Sequence, residues 1–158
     1  MEIADFLAPA AVFAGLKAPD KVGLLRELAG RVAPLAGVKA EVILKALNAR
    51  EKLGSTGVGR GIAIPHARID GVKRLVGVFA SLRKPIDFAA IDEQPVDLVF
   101  LLLIPSGAGN EHVAALAAVS RRLRDTSVVK ELRAERDGAR LHARLTGEGP
   151  DAPAPKPR

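Results

Sequence analysis

The run VDLVFLLLIP, residues 96–105, constrains the chain more than any other stretch. A strand that shows one face to water alternates apolar and polar side chains, because successive residues point to opposite faces. Here the apolar character is almost uninterrupted, as expected of a central strand covered on both faces. Such a strand needs a layer on each side. A sequence of 158 residues, 48% of them hydrophobic, has enough material for one domain of this kind and too little for two comfortable ones.

The flanking segments supply the layers. Residues 19–33 (PDKVGLLRELAGRVA) open with a proline at a helix's first turn and place Val22, Leu25, Leu28 and Val32 on one stripe. Residues 39–53 (KAEVILKALNAREKL) repeat the pattern with Val42, Ile43, Ala46, Leu47 and Arg50 near one side, and stop at Gly54. Arg50 thus ends a helix, facing the loop. Two further strands are expected, Gly61 to Ile64 and Leu75 to Leu82, the second antiparallel to the strand from Val96 to Ile104. After Pro105 a loop delivers a helix with Asn110 as its N-cap, on which His112, Leu116, Val119 and Leu123 share the buried side. Helical segments follow at 127–135 and 138–145. The expected fold is α/β, a mixed β-sheet sandwiched between helices, formed by residues 1–146. Residues 147–158, rich in proline and without an apolar side chain larger than alanine, are expected to form a flexible tail.

Several functions are disfavoured. The net charge of +6 invites nucleic acid, but the arginines at 121–124, 133, 136, 140 and 144 interleave with acids, as on solvated helix faces, and tryptophan and tyrosine are absent. Cysteine is absent too, so no disulfide or thiolate site is available, which fits a reducing, cytoplasmic setting. The N-terminus carries an acid where a signal peptide has bases, and no apolar run reaches the roughly 20 residues a membrane span needs. His66, His112 and His142 show no metal-ligand spacing, and no G-x-S-x-G motif is present.

The glycine-rich LGSTGVGRG (53–61) fails both nucleotide patterns: no lysine follows Gly59, and these glycines follow a helix rather than open one. It reads either as a backbone nest for a phosphoryl oxygen or as a helix stop with a tight turn. It leads to His66, just after Pro65. That ring is either a hydrogen-bonded structural histidine or a nucleophile, projected where the proline ends the ladder. His112, at a helix N-terminus, stands where an anion is attracted.

Three blocks, NAREKLGSTGVGRGIAIPHAR (48–68), PIDFAAIDEQPVDLVFLLLIP (85–105) and EHVAALAAVSRRLRD (111–125), resemble the enzyme IIA domains of the fructose, mannitol and nitrogen-regulatory branch of the bacterial phosphotransferase system, most closely the nitrogen-regulatory type. The resemblance covers about residues 3–145. It implies that His66 accepts a phosphoryl group through Nε2 from the phosphohistidine of a small HPr-like or NPr-like carrier, that Arg50 and His112 flank the site, and that neither ATP, metal nor another cofactor is used. It further implies either regulated partners, such as kinases or potassium transport proteins, or a IIB domain that takes the phosphate towards a sugar. The chain departs from the family pattern at Arg60, where many relatives carry asparagine, and at Ala67, where many carry glycine.

Overall fold

The computed structural model describes residues 1–147; the tail expected at 147–158 lies, from residue 148 on, outside the described residues. Two single-turn 3₁₀ segments, Ile3–Asp5 and Pro9–Ala11, lead into strand β1 (Val12–Leu16). Helices α1 (Lys21–Ala36) and α2 (Ala40–Lys52) follow, then β2 (Gly57–Gly59), β3 (Ile62–Ala63), β4 (His66–Ile69), β5 (Val76–Ile86) and β6 (Val96–Pro105). Three helices close the chain: α3 (Glu111–Arg124), α4 (Thr126–Ala134) and α5 (Gly138–Thr146).

The six strands form one mixed sheet in the order β1-β5-β6-β3-β2, with β4 also on β6. Strand β5 runs antiparallel to β6 as expected, while β1 joins β5, and β3 and β4 join β6, in parallel. Every residue from Leu98 to Ile104 is buried, so β6 is covered on both faces. Helices α1 and α2 pack together and reach β5 and β4; α3, α4 and α5 form a second packed group reaching β1. Phe100 of β6 meets Phe6 and Phe79 edge to face, both at 6.2 Å between ring centroids, the favourable geometry for aromatic quadrupoles.

Some expectations are corrected. Pro19 precedes α1 instead of opening it; Asp20 is the cap, its carboxylate accepting the Gly23 N–H at 2.8 Å. Leu24, Leu25, Leu28, Ala29 and Val32 make the buried face, which leaves Val22 at its margin and exposed, as is Val42 on α2. Asn110 occupies the cap position of α3 without a side-chain cap; its carbonyl accepts from Val113 and Ala114 instead. His112 and Leu116 are only partly buried, and Ala115 and Ala118 join Val119 and Leu123 in the contact with the rest of the molecule.

Candidate functional site

His66 stands at the start of β4. Pro65 has no N–H, yet its carbonyl accepts the Leu102 N–H at 2.8 Å, and pairing with β6 resumes at once, His66 opposite Leu102 and Arg68 opposite Ile104. The proline therefore divides β3 from β4 without ending the ladder, contrary to the expectation. Along β4, Ala67 and Ile69 are buried, His66 is half-buried and Arg68 exposed. With a side-chain period of two, His66 and Arg68 leave the strand on the same side.

The His66 ring is fixed by a 2.8 Å contact between Nδ1 and the Ile64 carbonyl. A carbonyl oxygen can only accept, so this bond places the proton on Nδ1. When the ring is neutral, Nε2 then carries the lone pair, and it has no hydrogen-bond partner among the described residues.

The other two expected residues reach this region by different routes. Arg50 lies in the last turn of α2, the helix packed on β4, and donates to the Gly54 carbonyl at 2.9 Å, so it does face the glycine-rich loop. His112, in the first turn of α3, is tied to the His66 side of β4 through Arg68, whose Nη2 lies 3.2 Å from His112 Nδ1. Arg68 Nη1 also donates to the carbonyls of Ala108 at 2.9 Å and Ser106 at 3.4 Å. Among the described residues no hydrogen bond joins His66 directly to Arg50 or His112. The third histidine is structural: His142 Nε2 lies 2.8 Å from the Leu7 carbonyl.

The glycine-rich loop is a short hairpin. Helix α2 ends at Lys52 with Leu53 as its cap; β2 and β3 then pair antiparallel through a turn in which Gly59, Arg60 and Gly61 all have positive φ. Gly57 is needed for space, since a Cβ there would lie 2.7 Å from that of Ala90. The N–H of Arg60, which a phosphoryl oxygen would use in a nest, is taken by the Asp92 carboxylate at 2.8 Å. This bond and that from the Gln94 N–H hold the Asp92 carboxyl below the usual carboxylate range. The loop is thus closed by the chain's own anion, which favours the turn reading over the nest.

Two groupings that sequence reasoning missed hold this hairpin. Glu51, with a side chain only 7% exposed, pairs with Lys21 Nζ at 2.8 Å and accepts from the Thr56 N–H at 3.1 Å and from the Thr56 hydroxyl. The Thr56 carbonyl accepts the Ile64 N–H at 3.0 Å, and the Ile64 carbonyl holds His66, so polar contacts run from α1 to the His66 ring. Arg133 of α4 forms a forked pair with Asp97 and donates to the Arg60 carbonyl at 2.6 Å. That arginine is a tether rather than part of a solvated face, and Arg144 likewise pairs with Glu131 at 2.7 Å. The spacing of these partners, 36 residues for Arg133 and Asp97, left no local signal.

Four apolar side chains on these segments are exposed among charged neighbours such as Arg60, Asp92 and Glu111. Leu53 beside Arg50 is 84% exposed and Ile91 beside the hairpin 85%; Val58 and Val113, the neighbour of His112, are also exposed. A cavity of about 390 Å³, lined by Gly15, Ser81, Arg83, Asp97 and Arg133 among others, contains none of the three candidate residues.

Comparison with known proteins agrees with this architecture. A nitrogen regulatory protein of Bradyrhizobium diazoefficiens is 47% identical over 145 residues, covering 92% of this chain and 95% of that protein. The crystal structure of the nitrogen regulatory protein IIA-Ntr from Neisseria meningitidis superposes with a TM-score of 0.87 at 33% identity, covering 91% of this chain and 99% of the other. That of IIA mannitol from Escherichia coli, 24% identical with a TM-score of 0.75 over 87% of this chain and 97% of the other, shares the fold. Residues 5–147 match the profile described as phosphoenolpyruvate-dependent sugar phosphotransferase system, EIIA 2, and the chain belongs to that family.

Proposed function

We propose that the protein is a cytoplasmic phosphohistidine carrier of the nitrogen-regulatory type, accepting a phosphoryl group on His66 from the phosphohistidine of an HPr-like or NPr-like carrier. The observation that carries this reading is the bond from His66 Nδ1–H to the Ile64 carbonyl, which leaves Nε2 as a free nucleophile on a rigid strand. In the transfer, the Nε2 lone pair attacks phosphorus in line. The carrier's N–P bond breaks and its electron pair returns to the carrier's imidazole. As positive charge develops on the His66 ring, the Ile64 carbonyl stabilises it through Nδ1–H.

The transferring group spreads negative charge over its equatorial oxygens, so the remaining work is positioning and electrostatic stabilisation. Arg50 supplies a permanent cation and His112 a hydrogen-bond donor. Bond types on the two sides are alike, which makes the step reversible. The exposed Leu53, Val58, Ile91 and Val113 offer apolar contacts to a protein donor, of the kind that fill the core of a protein interface. Phosphorylation adds a dianion to this surface, and regulated partners such as a kinase or a potassium transport protein would distinguish the two charge states.

The test is to incubate the protein with enzyme I, the carrier and labelled phosphoenolpyruvate. Wild type is expected to take an acid-labile label and His66→Ala none; label persisting on the variant overturns the assignment. Onward transfer to a purified IIB domain would move the protein from the regulatory to the sugar-transport role.

A further inference from the structure

His112 Nδ1 has two neighbours that make opposite demands on it. The Gly109 carbonyl, at 2.9 Å, can only accept and calls for a proton on Nδ1. The Arg68 guanidinium, at 3.2 Å, can only donate and calls for a lone pair there. A neutral ring satisfies one of them.

We propose that Arg68 is a positioning residue that holds His112 as the Nε2–H tautomer, so that the ring presents a donor, not a lone pair, to a phosphoryl group at the His66 site. The inference rests on the reading of His66 as the phosphoryl acceptor. Three observations support it. Arg68 cannot give up its charge, and a charge-assisted bond is roughly twice as strong as a neutral one, which favours the guanidinium at 3.2 Å even against the shorter carbonyl contact at 2.9 Å. Its place is fixed independently of His112, by the carbonyls of Ala108 and Ser106. The opposite tautomer would set a ring N–H against a guanidinium N–H at 3.2 Å.

The two histidines then carry their protons on opposite nitrogens for one purpose. A carbonyl puts the His66 proton on Nδ1 and frees Nε2 to attack. A guanidinium takes the His112 lone pair at Nδ1 and leaves its proton on Nε2 to donate. Because Arg68 follows His66 by two residues on the same side of β4, one strand carries both the nucleophile and the group that orients its helper. With the wrong tautomer, His112 would turn a lone pair towards an anion.

The test is nitrogen-15 NMR of histidine-labelled full-length protein at pH 8, above the ordinary histidine value of about 6.5. In wild type the Nδ1 resonance of His112 is expected to be unprotonated and Nε2 protonated. Arg68→Met should move the proton to Nδ1, where the Gly109 carbonyl takes it, and Arg68→Lys should restore Nε2–H. A protonated Nδ1 in wild type, or an unchanged tautomer in Arg68→Met, overturns the proposal.

A kinetic arm separates orientation from simple charge. Arg68→Met should slow transfer from the carrier about tenfold, as loss of an orienting partner does, and the Arg68→Met/His112→Ala double variant should be no slower than His112→Ala alone. Additive losses would mean that Arg68 acts directly on the phosphoryl group and would also overturn the proposal. The tautomer is read on unphosphorylated protein, so its failure is distinct from failure of the His66 assignment, which the labelling of His66→Ala decides.

Discussion

Arg60 sits at φ 57°, in the left-handed region that costs a residue with an ordinary side chain about 1–2 kcal/mol and that asparagine tolerates. Only its backbone is used, the N–H by Asp92 and the carbonyl by Arg133. Arg60→Asn is therefore expected to raise stability by up to about 1 kcal/mol, read as a higher urea midpoint at unchanged slope; a lower midpoint would mean that the arginine side chain itself contributes. Asp92 makes this turn sensitive to acid. Its folded pKa is depressed by the Arg60 and Gln94 N–H groups, so its contribution is present above the ordinary carboxylate value and is lost as pH falls through the folded value. The Arg60 amide proton should shift with pH only below about 3.9, and not at all in Asp92→Ala. If the proposed site is right, Arg50→Ala should leave carrier binding intact and slow transfer about a hundredfold, with a smaller loss for His112→Ala. Equal rates would remove Arg50 from the mechanism.

At the scale of elements, the link from α1 through α2 to the hairpin runs through one carboxylate. Glu51→Ala takes the carboxylate from both Thr56 donors and from Lys21 Nζ, which is left with the Phe88 carbonyl and ring, and Thr56 is itself buried. The expected loss is about 2–3 kcal/mol in denaturant unfolding, with a less restrained His66 ring; a loss below about 0.5 kcal/mol would show that water replaces the carboxylate. The long elements were legible because their patterns are local. Residues 96–104, the two leading helices and the antiparallel β5–β6 pair follow from apolar runs and periodicity. Strands β1, β2 and β4 were not legible: β1 contains Gly15 at positive φ, β2 is GVG, and β4 reads HARI, so only pairing with β5, β3 and β6 makes them strands. In the candidate site, His66 and His112 are legible from residue type and position. Arg68, whose partner lies 44 residues on, and Arg133, whose role depends on Asp97, had no signature short enough to read.

Across the whole molecule, β6 is the common support. Its Leu102 N–H takes the Pro65 carbonyl, its register sets His66 and Arg68, and its C-terminal end leads into the Ser106–Gly109 loop whose carbonyls anchor Arg68. The buried sheet and the loops bonded to it therefore hold the His66 ring in place, as expected when candidate binding groups ride on a rigid scaffold. The central claim is that phosphorus bonds to Nε2 of His66 because Nδ1 is already committed to the Ile64 carbonyl. The most direct measurement is phosphorus–nitrogen coupling in nitrogen-15 histidine-labelled protein after transfer from the carrier. Coupling to Nε2 of His66 is expected; coupling to its Nδ1, or to any other residue, would contradict this assignment.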